Sequence, residues 1–194
     1  YETGQSQAYE NADAALGKFR EALGVEDGNV TILLSMARMQ LAKKDCAGAE
    51  QSLKAATEYN PYDEILRFLQ AKTLLCQHKP QEAVNLLKME SVEDPVNGVT
   101  FAVAMFETGS PNEALNLLQK AIAKDAQFPE SYYWIWKVIE EKNEFAEEQG
   151  QKYLAVCKNL NIRTRRKYMN EPRLCGQTQE VEDALKASAK NSEN

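Results

Sequence analysis

The sequence predicts an all-α fold, a right-handed α-solenoid of about 9–10 helices that stack as antiparallel pairs. Three segments with the same outline support this prediction, because each places small and apolar residues at matching positions: Gly48–Leu53, Glu82–Leu87 and Glu113–Leu118. Each segment follows an alanine in an apolar helical stretch, at Ala37, Ala71 and Ala102. No segment shows the alternating apolar pattern of a β-strand.

The repeat has a period of about 34 residues that is broken once. Ala71 follows Ala37 by one full period, whereas Ala102 follows Ala71 by a shorter step. The alanines of the second helices show the same two steps, so one unit is three residues short. We expect the deletion near Met89 to Glu93. A unit of two helices cannot bury its own apolar face, so the units must stack, and a stack leaves a concave surface.

The apolar stripes and the turn residues between them give the order of the elements. A helix over Gln5 to Leu23 belongs to an incomplete first unit, because Ala15 lies one full period before Ala49. Eight further helices are predicted over residues 30–43, 46–58, 64–77, 80–90, 96–108, 111–124, 129–142 and 144–159. The predicted organisation is an N-terminal helix within 1–29 and repeats over 30–63, 64–94, 95–128 and 129–160.

The repeat pattern fades after Leu160. Residues 161–176 are expected to be irregular or weakly helical, and they contain the basic run Arg163 to Lys167. A last helix is predicted over Thr178 to Ala189, with a thin apolar stripe that contains Val181. A polar final helix suits the end of a solenoid, so residues 161–194 are interpreted as a basic segment and a capping helix.

Composition and charge exclude several classes of function. Lys plus Arg number 23 against 29 for Asp plus Glu, and this net charge of -6 argues against broad binding to nucleic acid or anionic membranes. No apolar run approaches the roughly 18 residues of a membrane-spanning helix, so direct membrane insertion is not expected. The chain begins at Tyr1 rather than Met, so we expect a processed or excised piece, from which a signal or anchor before Tyr1 could have been removed.

The four cysteines do not show the spacing of a metal or redox motif. Cys46, Cys76 and Cys157 lie within helical patterns, and Cys175 lies in the irregular segment. We interpret them as structural thiols rather than as disulfide partners or metal ligands. Free thiols favour a reducing compartment, and the localisation expected on this basis is cytoplasmic.

From these positions the chain resembles the tetratricopeptide-repeat family, over about residues 15–160. The unit from Val30 to Asp63 matches best, and two more units follow in phase. Trp136 departs from the pattern because it stands where a small residue is usual, and Gly150 is expected to make room for its ring. The best unit matches the family's key positions at Leu33, Met36, Ala37, Ala49, Leu53, Ala56 and Pro61.

The resemblance implies a partner-binding groove on the first helices of the units. Members that hold a chain-terminal carboxylate do so with Lys and Asn side chains. Here the Asn residues are absent and Leu34, Val96 and Thr100 take clamp positions, so that subclass is not expected. The implied groove is aliphatic and aromatic with three cations, and its residues are Leu34, Arg38, Leu41, Phe68, Lys72, Leu75, Val99, Val103, Phe106, Tyr133 and Lys137.

The sequence does not decide between two occupants of this groove. An amphipathic helix or an extended apolar segment of a partner would suit the apolar surface, with an acidic residue opposite Arg38 or Lys72. Alternatively, the chain's own N- or C-terminal segment or a second copy of the chain covers part of the groove, as in a self-associating assembly subunit.

Two other segments have both a structural and a binding interpretation. Tyr132, Ile135 and Trp136 share one helical face and are expected in the core, whereas Tyr133 and Trp134 point elsewhere and are candidate interface anchors. A possible secondary contact to an acidic partner is formed by Arg163, Arg165 and Arg166, although such basic runs are more often solvated clusters at a helix end.

The sequence contains no catalytic constellation. The single histidine, His78, lies in a turn without an acidic partner in register, and no phosphate-binding glycine loop or nucleophile motif occurs. We therefore predict a non-enzymatic scaffold that binds another protein, without a cofactor or a metal.

Overall fold

The computed structural model describes residues 2–26, 28–88, 94–139, 143–168, 171 and 174–192. The chain divides into two compact units, unit 1 within Tyr1–Lys88 and unit 2 within Met89–Asn194. All regular secondary structure in these described ranges is α-helical, and neighbouring helices pack in pairs. The predicted fold class is confirmed.

The helices follow one another with short connections, as helix pairs in antiparallel arrangement require. Unit 1 contains α1 (Glu2–Val25), α2 (Val30–Ala42), α3 (Cys46–Tyr59), α4 (Glu64–Cys76) and α5 (Pro80–Leu87). Unit 2 contains α6 (Pro95–Glu107), α7 (Pro111–Lys124), α8 (Pro129–Val138), α9 (Glu144–Lys158), α10 (Ile162–Lys167) and α11 (Thr178–Ser192).

Most helices begin in one of two ways. Either a side chain accepts a hydrogen bond from a backbone N–H group of the first turn, or the first residue is a proline, which has no N–H group. The Asp45 carboxylate accepts a hydrogen bond from the Gly48 N–H, and the Asn143 side chain accepts one from the Ala146 N–H. These contacts pair donors that have no partner inside the helix. Proline, which lacks that donor, occupies the first position of four helices. The prolines are Pro80, Pro95, Pro111 and Pro129.

Three helix pairs have a left-handed residue in the turn between their two helices, and the spacing of these residues matches the irregular period of the sequence. Lys44, His78 and Gly109 have φ angles of 60°, 59° and 83°, which lie in the left-handed region. They are spaced by one full period and then one shortened period, like the alanines, so the backbone repeats with the same register. Only glycine takes this conformation without a steric cost from Cβ. His78 is an exposed turn residue, as expected.

Small residues lie at the helix crossings in both units. Ala37, Ala49 and Ala56 are completely buried in unit 1, where they pack with Leu53 and Leu66. In unit 2, Ala102, Ala114, Leu118 and Ala121 take the corresponding positions and are buried as well. Alanine lets two helix backbones approach closely, while the leucines fill the remaining space.

The end of unit 2 has a different core, built from aromatic rings. Tyr132, Tyr133 and Trp136 of α8 pack against Tyr153 of α9 and Val181 of α11. Val181 is completely buried, and Leu185 packs on the same cluster one turn later. The predicted stripe of the last helix therefore lies in this core.

The helix bounds agree with the sequence prediction within a few residues, with two differences. α8 ends at Val138, because Ile139 takes an extended conformation, whereas the pattern predicted a helix to residue 142. Residues 162–167 form the regular helix α10, where we expected irregular or weakly helical chain. The predicted deletion near Met89 to Glu93 and the predicted helix end at 140–142 lie outside the described residues.

The prediction of free thiols is wrong. All four cysteines are paired, Cys46 with Cys76 and Cys157 with Cys175, and the Cα atoms are 5.7 Å apart in each pair. Cys46 begins α3 and Cys76 ends α4, so two neighbouring antiparallel helices bring together sulfurs that are 30 residues apart in sequence. Spacing along the chain gave no sign of this contact across helices.

The disulfides remove the argument for a reducing compartment, since such bonds persist mainly in oxidising ones. The cytoplasmic localisation was based on free thiols and stays an untested prediction. Within the described part of the chain, none of the helices combines the length and the apolar character needed to cross a membrane.

Both disulfides can be tested by thiol titration of the unfolded protein. We expect no reactive thiol before reduction and four afterwards, with linked peptides for Cys46–Cys76 and Cys157–Cys175 in the mass spectrum of a digest. Because the bonds close loops of 30 and 18 residues, the chain-entropy model predicts that reduction lowers the free energy of unfolding by about 3–4 kcal/mol per bond. Reactive thiols in protein that was folded and kept under oxidising conditions would contradict the pairing.

Candidate protein-interaction site

The predicted groove residues of unit 1 lie on α2 and α4, which pack against each other. Leu34 and Phe68 are buried, with 4% and 3% of their surface exposed, and we call them the floor residues of the predicted groove. Arg38, Lys72 and two leucines are half-buried around them. We call this set the unit 1 face, and it consists of Leu34, Arg38, Leu41, Phe68, Lys72 and Leu75.

The predicted groove residues of unit 2 lie on α6 and α8. Val99 and Val103 are buried, Phe106 is half-buried, and Lys137 is exposed. The Phe106 ring meets the Trp134 ring edge-on, with centroids 6.5 Å apart. In each unit the predicted residues thus lie on two first helices that pack against each other, and their role as a groove stays a prediction.

The chain's own last helix contacts two of the predicted groove residues. Lys137 Nζ donates to Oε1 of Glu180 at 2.6 Å, and Tyr133 Oη donates to Oε2 of the same carboxylate at 3.0 Å. One turn of α11 also buries Val181 against the aromatic cluster. At Tyr133 and Lys137 the chain's own last helix therefore covers predicted groove residues, which is one of the two alternatives that the sequence left open.

Tyr133 was expected to point away from the core, and this prediction is wrong. The residue is 6% exposed and packs against Trp136 and Tyr153, with ring centroids 5.9 Å and 5.7 Å away. Burial, followed by the charge of Glu180, raises the pKa of Tyr133 well above its usual value. The phenol is therefore protonated at neutral pH and serves as a donor to the carboxylate. Trp134 is half-buried, and its role as an interface anchor stays a prediction.

Gly150 makes room for the Trp136 ring, as the sequence predicts. A Cβ at Gly150 would lie 3.1 Å from Cδ1 of Trp136 and 3.2 Å from Cγ1 of Val181. Both distances are shorter than normal van der Waals contacts between carbon atoms. Because Gly150 has no side chain, both the Trp136 ring and α11 can pack against α9 at this residue.

Gly150→Val should therefore destabilise unit 2. We expect the free energy of unfolding to fall by about 1–3 kcal/mol, because the added methyl groups overpack a filled site. Gly17→Ala in α1 is the matched control, since a Cβ there meets nothing within 4 Å. That control should be neutral or stabilising by up to about 1 kcal/mol, as Ala favours a helix over Gly. Denaturant unfolding curves measure both changes, and an unchanged Gly150→Val curve would contradict the described packing.

A second polar contact holds α10 in place. Tyr168 Oη donates to Oδ2 of Asp125 at 2.5 Å, Lys167 forms an ion pair with the same carboxylate, and the Gln127 N–H donates to Oδ1 at 2.8 Å. The Tyr168 ring packs on Phe128 with the centroids 4.6 Å apart. The basic side chains Arg163, Arg165 and Arg166 remain exposed on α10, where the sequence predicted a possible secondary contact.

We expect the Asp125 contacts to make unit 2 less stable in acid. Burial acts to raise the pKa of Asp125, but the hydrogen bonds from Lys167, Tyr168 and the Gln127 backbone outweigh it, and the net pKa is lowered. A lowered folded pKa gives stability that is present above the unfolded value of about 3.9 and is lost as the pH falls through the folded pKa.

Asp125→Asn should weaken the dependence of the free energy of unfolding on pH. We expect the wild-type free energy of unfolding to exceed that of the variant at neutral pH and the difference to shrink as the pH falls below about 4. Thermal or denaturant unfolding of both proteins at a series of pH values measures the difference. A gap that is constant with pH would show that the carboxylate charge does not contribute.

A cavity that the sequence did not indicate lies among α3, α4 and α5 of unit 1. Its volume is about 630 Å³, and none of the predicted groove residues lines it. Leu53, Leu74 and Leu86 supply apolar surface, while Thr57 and Gln70 are joined by a hydrogen bond of 3.2 Å. Its shape depends on the spacing of α3 and α5, which a residue pattern does not give.

Among the residues that the structure describes, no group of three or more His, Cys, Asp and Glu side chains is arranged to hold a metal ion. The four cysteine sulfurs are in disulfides.

Comparison with known proteins supports the fold. No family model matches the chain, and no curated protein sequence matches it. Three similar solved structures are a crystal structure of MamA, the MamA RS-1 ArsTM double mutant and a crystal structure of MamA protein, with sequence identities of 17%, 14% and 20%. Their TM-scores are 0.58, 0.59 and 0.53.

The similarity extends over most of each chain. It covers 77%, 82% and 84% of this protein and 91%, 94% and 92% of the three solved chains, in the same order. Identities at this level bear on the fold alone. The structural similarity, together with the helix pairs and the register of the alanines, supports a tetratricopeptide-type arrangement of helices.

Proposed function

We propose that this protein is a non-enzymatic scaffold whose unit 1 face binds an amphipathic helix of a partner protein, with an acidic residue of that helix opposite Arg38 or Lys72. Helix pairs stacked through alanine crossings present the faces of their first helices as a surface for another chain. The unit 1 face combines apolar side chains with two cations, which suits the apolar side and an acidic residue of such a helix.

The contact between α8 and α11 is the observation that carries the proposal. Here a helix with an apolar stripe already lies on first-helix residues of unit 2, and its Glu180 meets Lys137 and Tyr133. Val181 and Leu185 supply the apolar part of the same contact. α11 is therefore a model for the chemistry of the partner that we propose for unit 1.

The burial of the floor residues decides which substitutions can test the unit 1 face. Phe68 is almost completely buried, so a charge at this position would unfold the protein rather than block binding. Arg38 and Lys72 are half-buried, and reversing their charges changes the rim of the face while leaving the floor in place.

The test is a selection of helical peptides from a displayed random library against the full-length oxidised protein. We expect the selected peptides to share an apolar stripe with an acidic residue one position before it, as Glu180 precedes Val181. Arg38→Glu with Lys72→Glu should weaken their binding at least about tenfold, because a charge pair becomes a like-charge contact.

Lys120→Glu with Lys158→Glu makes the same change in net charge at exposed positions outside the unit 1 face. This control should bind like the wild type, and circular dichroism establishes that both variants are helical. Selected peptides that lack an acidic residue, or that bind both variants equally well, would refute the proposal.

A further inference from the structure

Unit 1 exposes large apolar side chains at two neighbouring turns. Val25 at the end of α1 is 92% exposed, and Tyr62 in the turn before α4 is 85% exposed. The two turns lie side by side, because the Tyr59 ring occupies the place that a Cβ at Gly28 would take. The exposed apolar side chains at and beside these two turns are Val25, Tyr59, Tyr62 and Ile65, and we call this set the edge patch.

The segment that carries three of the four edge-patch residues is acidic. Residues 58–65 include Glu58, Asp63 and Glu64 and no basic residue. Asp63 is engaged as the cap of α4, where it accepts the Leu66 N–H, while the two glutamates are exposed. Exposed tyrosines next to carboxylates are suited to an apolar partner that carries cations.

Unit 2 exposes a surface of the complementary kind on α10. Ile162 is 71% exposed and is followed by the exposed Arg163, Arg165 and Arg166, which we call the α10 face. The opposite side of the helix is buried through Thr164 and Tyr168, and the hydrogen bond from Tyr168 to Asp125 holds it there. Residues 162–167 carry four cations and no acidic residue.

We propose that the edge patch of one molecule binds the α10 face of a second copy of this chain. The apolar side chains of both surfaces would be covered in one contact, and the glutamates of one copy would meet the arginines of the other. A contact between two edge patches, or between two α10 faces, would instead bring like charges together. The charges therefore select a head-to-tail contact, which continues into rings or open chains.

The strength of this contact follows from its size and charge. The interface is small, because four apolar side chains of one copy meet one isoleucine and its arginines of the other. We expect it to bury less than the roughly 1,200 Å² of standard complexes. We therefore expect a weak, reversible association that depends strongly on salt, because charges at an exposed rim are screened within about 8–10 Å at physiological ionic strength. The association is independent of the unit 1 face, since it uses other residues.

Sedimentation velocity of the full-length oxidised protein tests the proposal. At low salt, the weight-average sedimentation coefficient should rise between about 5 µM and about 500 µM protein, as expected for a small interface. Glu58→Lys with Glu64→Lys, and separately Arg163→Glu with Arg166→Glu, should each lower the association constant at least about tenfold. An equimolar mixture of the two variants should associate like the wild type, because opposite charges face each other again across every mixed contact.

Two further comparisons separate this contact from general effects of charge. Lys120→Glu with Lys158→Glu changes the net charge as the arginine variant does and should leave association unchanged. Tyr62→Ser and Ile162→Ser remove exposed apolar groups without disturbing a core, and each should also weaken association. A protein that stays monomeric over the whole range, a control that weakens association equally, or a mixture that fails to restore it would each overturn the proposal.

Discussion

The close approach of helix backbones at buried alanines is the constraint on which the rest of the structure depends. Ala37 and Ala49 in unit 1, and Ala102 and Ala114 in unit 2, are at most 1% exposed at the crossings. A larger side chain would separate the helices and expose the leucines that pack beside them. Because these contacts fix each helix pair, the faces of the first helices have defined side-chain positions.

The end of unit 2 solves the same packing problem with the sizes reversed. A large ring, Trp136, stands where a small residue is usual in the first helix, and Gly150 of the second helix leaves room for it. The enlarged aromatic surface then needs cover that another repeat would otherwise provide. α11 gives that cover through Val181, and the carboxylate of Glu180 pairs the phenol and the ammonium group at its border. The helix that ends the unit therefore fits an aromatic rather than an aliphatic neighbour.

Residue patterns along the chain predicted the helices well, since alanine register, proline at helix starts and polar caps are local signals. α7 was predicted with the bounds that the structure has, residues 111–124. The same patterns failed where the decisive contact joins distant residues. α10 is ordered by Tyr168 and Lys167 on Asp125, more than forty positions earlier, and the cysteines pair across helices. Of the candidate site, the register predicted which helices carry the groove residues, but it could not show that α11 lies on Tyr133.

The two disulfides also change how such a chain can open. Arrays of helix pairs normally fray from their ends, since each repeat contacts only its neighbours and local opening costs little. Cys46–Cys76 connects helices of two successive predicted repeats, and Cys157–Cys175 connects α9 to the chain just before α11. In the oxidised protein, neither of these boundaries can separate completely without breaking a covalent bond. Each unit should therefore open more cooperatively than an unlinked array, and a protease should find few partly open forms to cut.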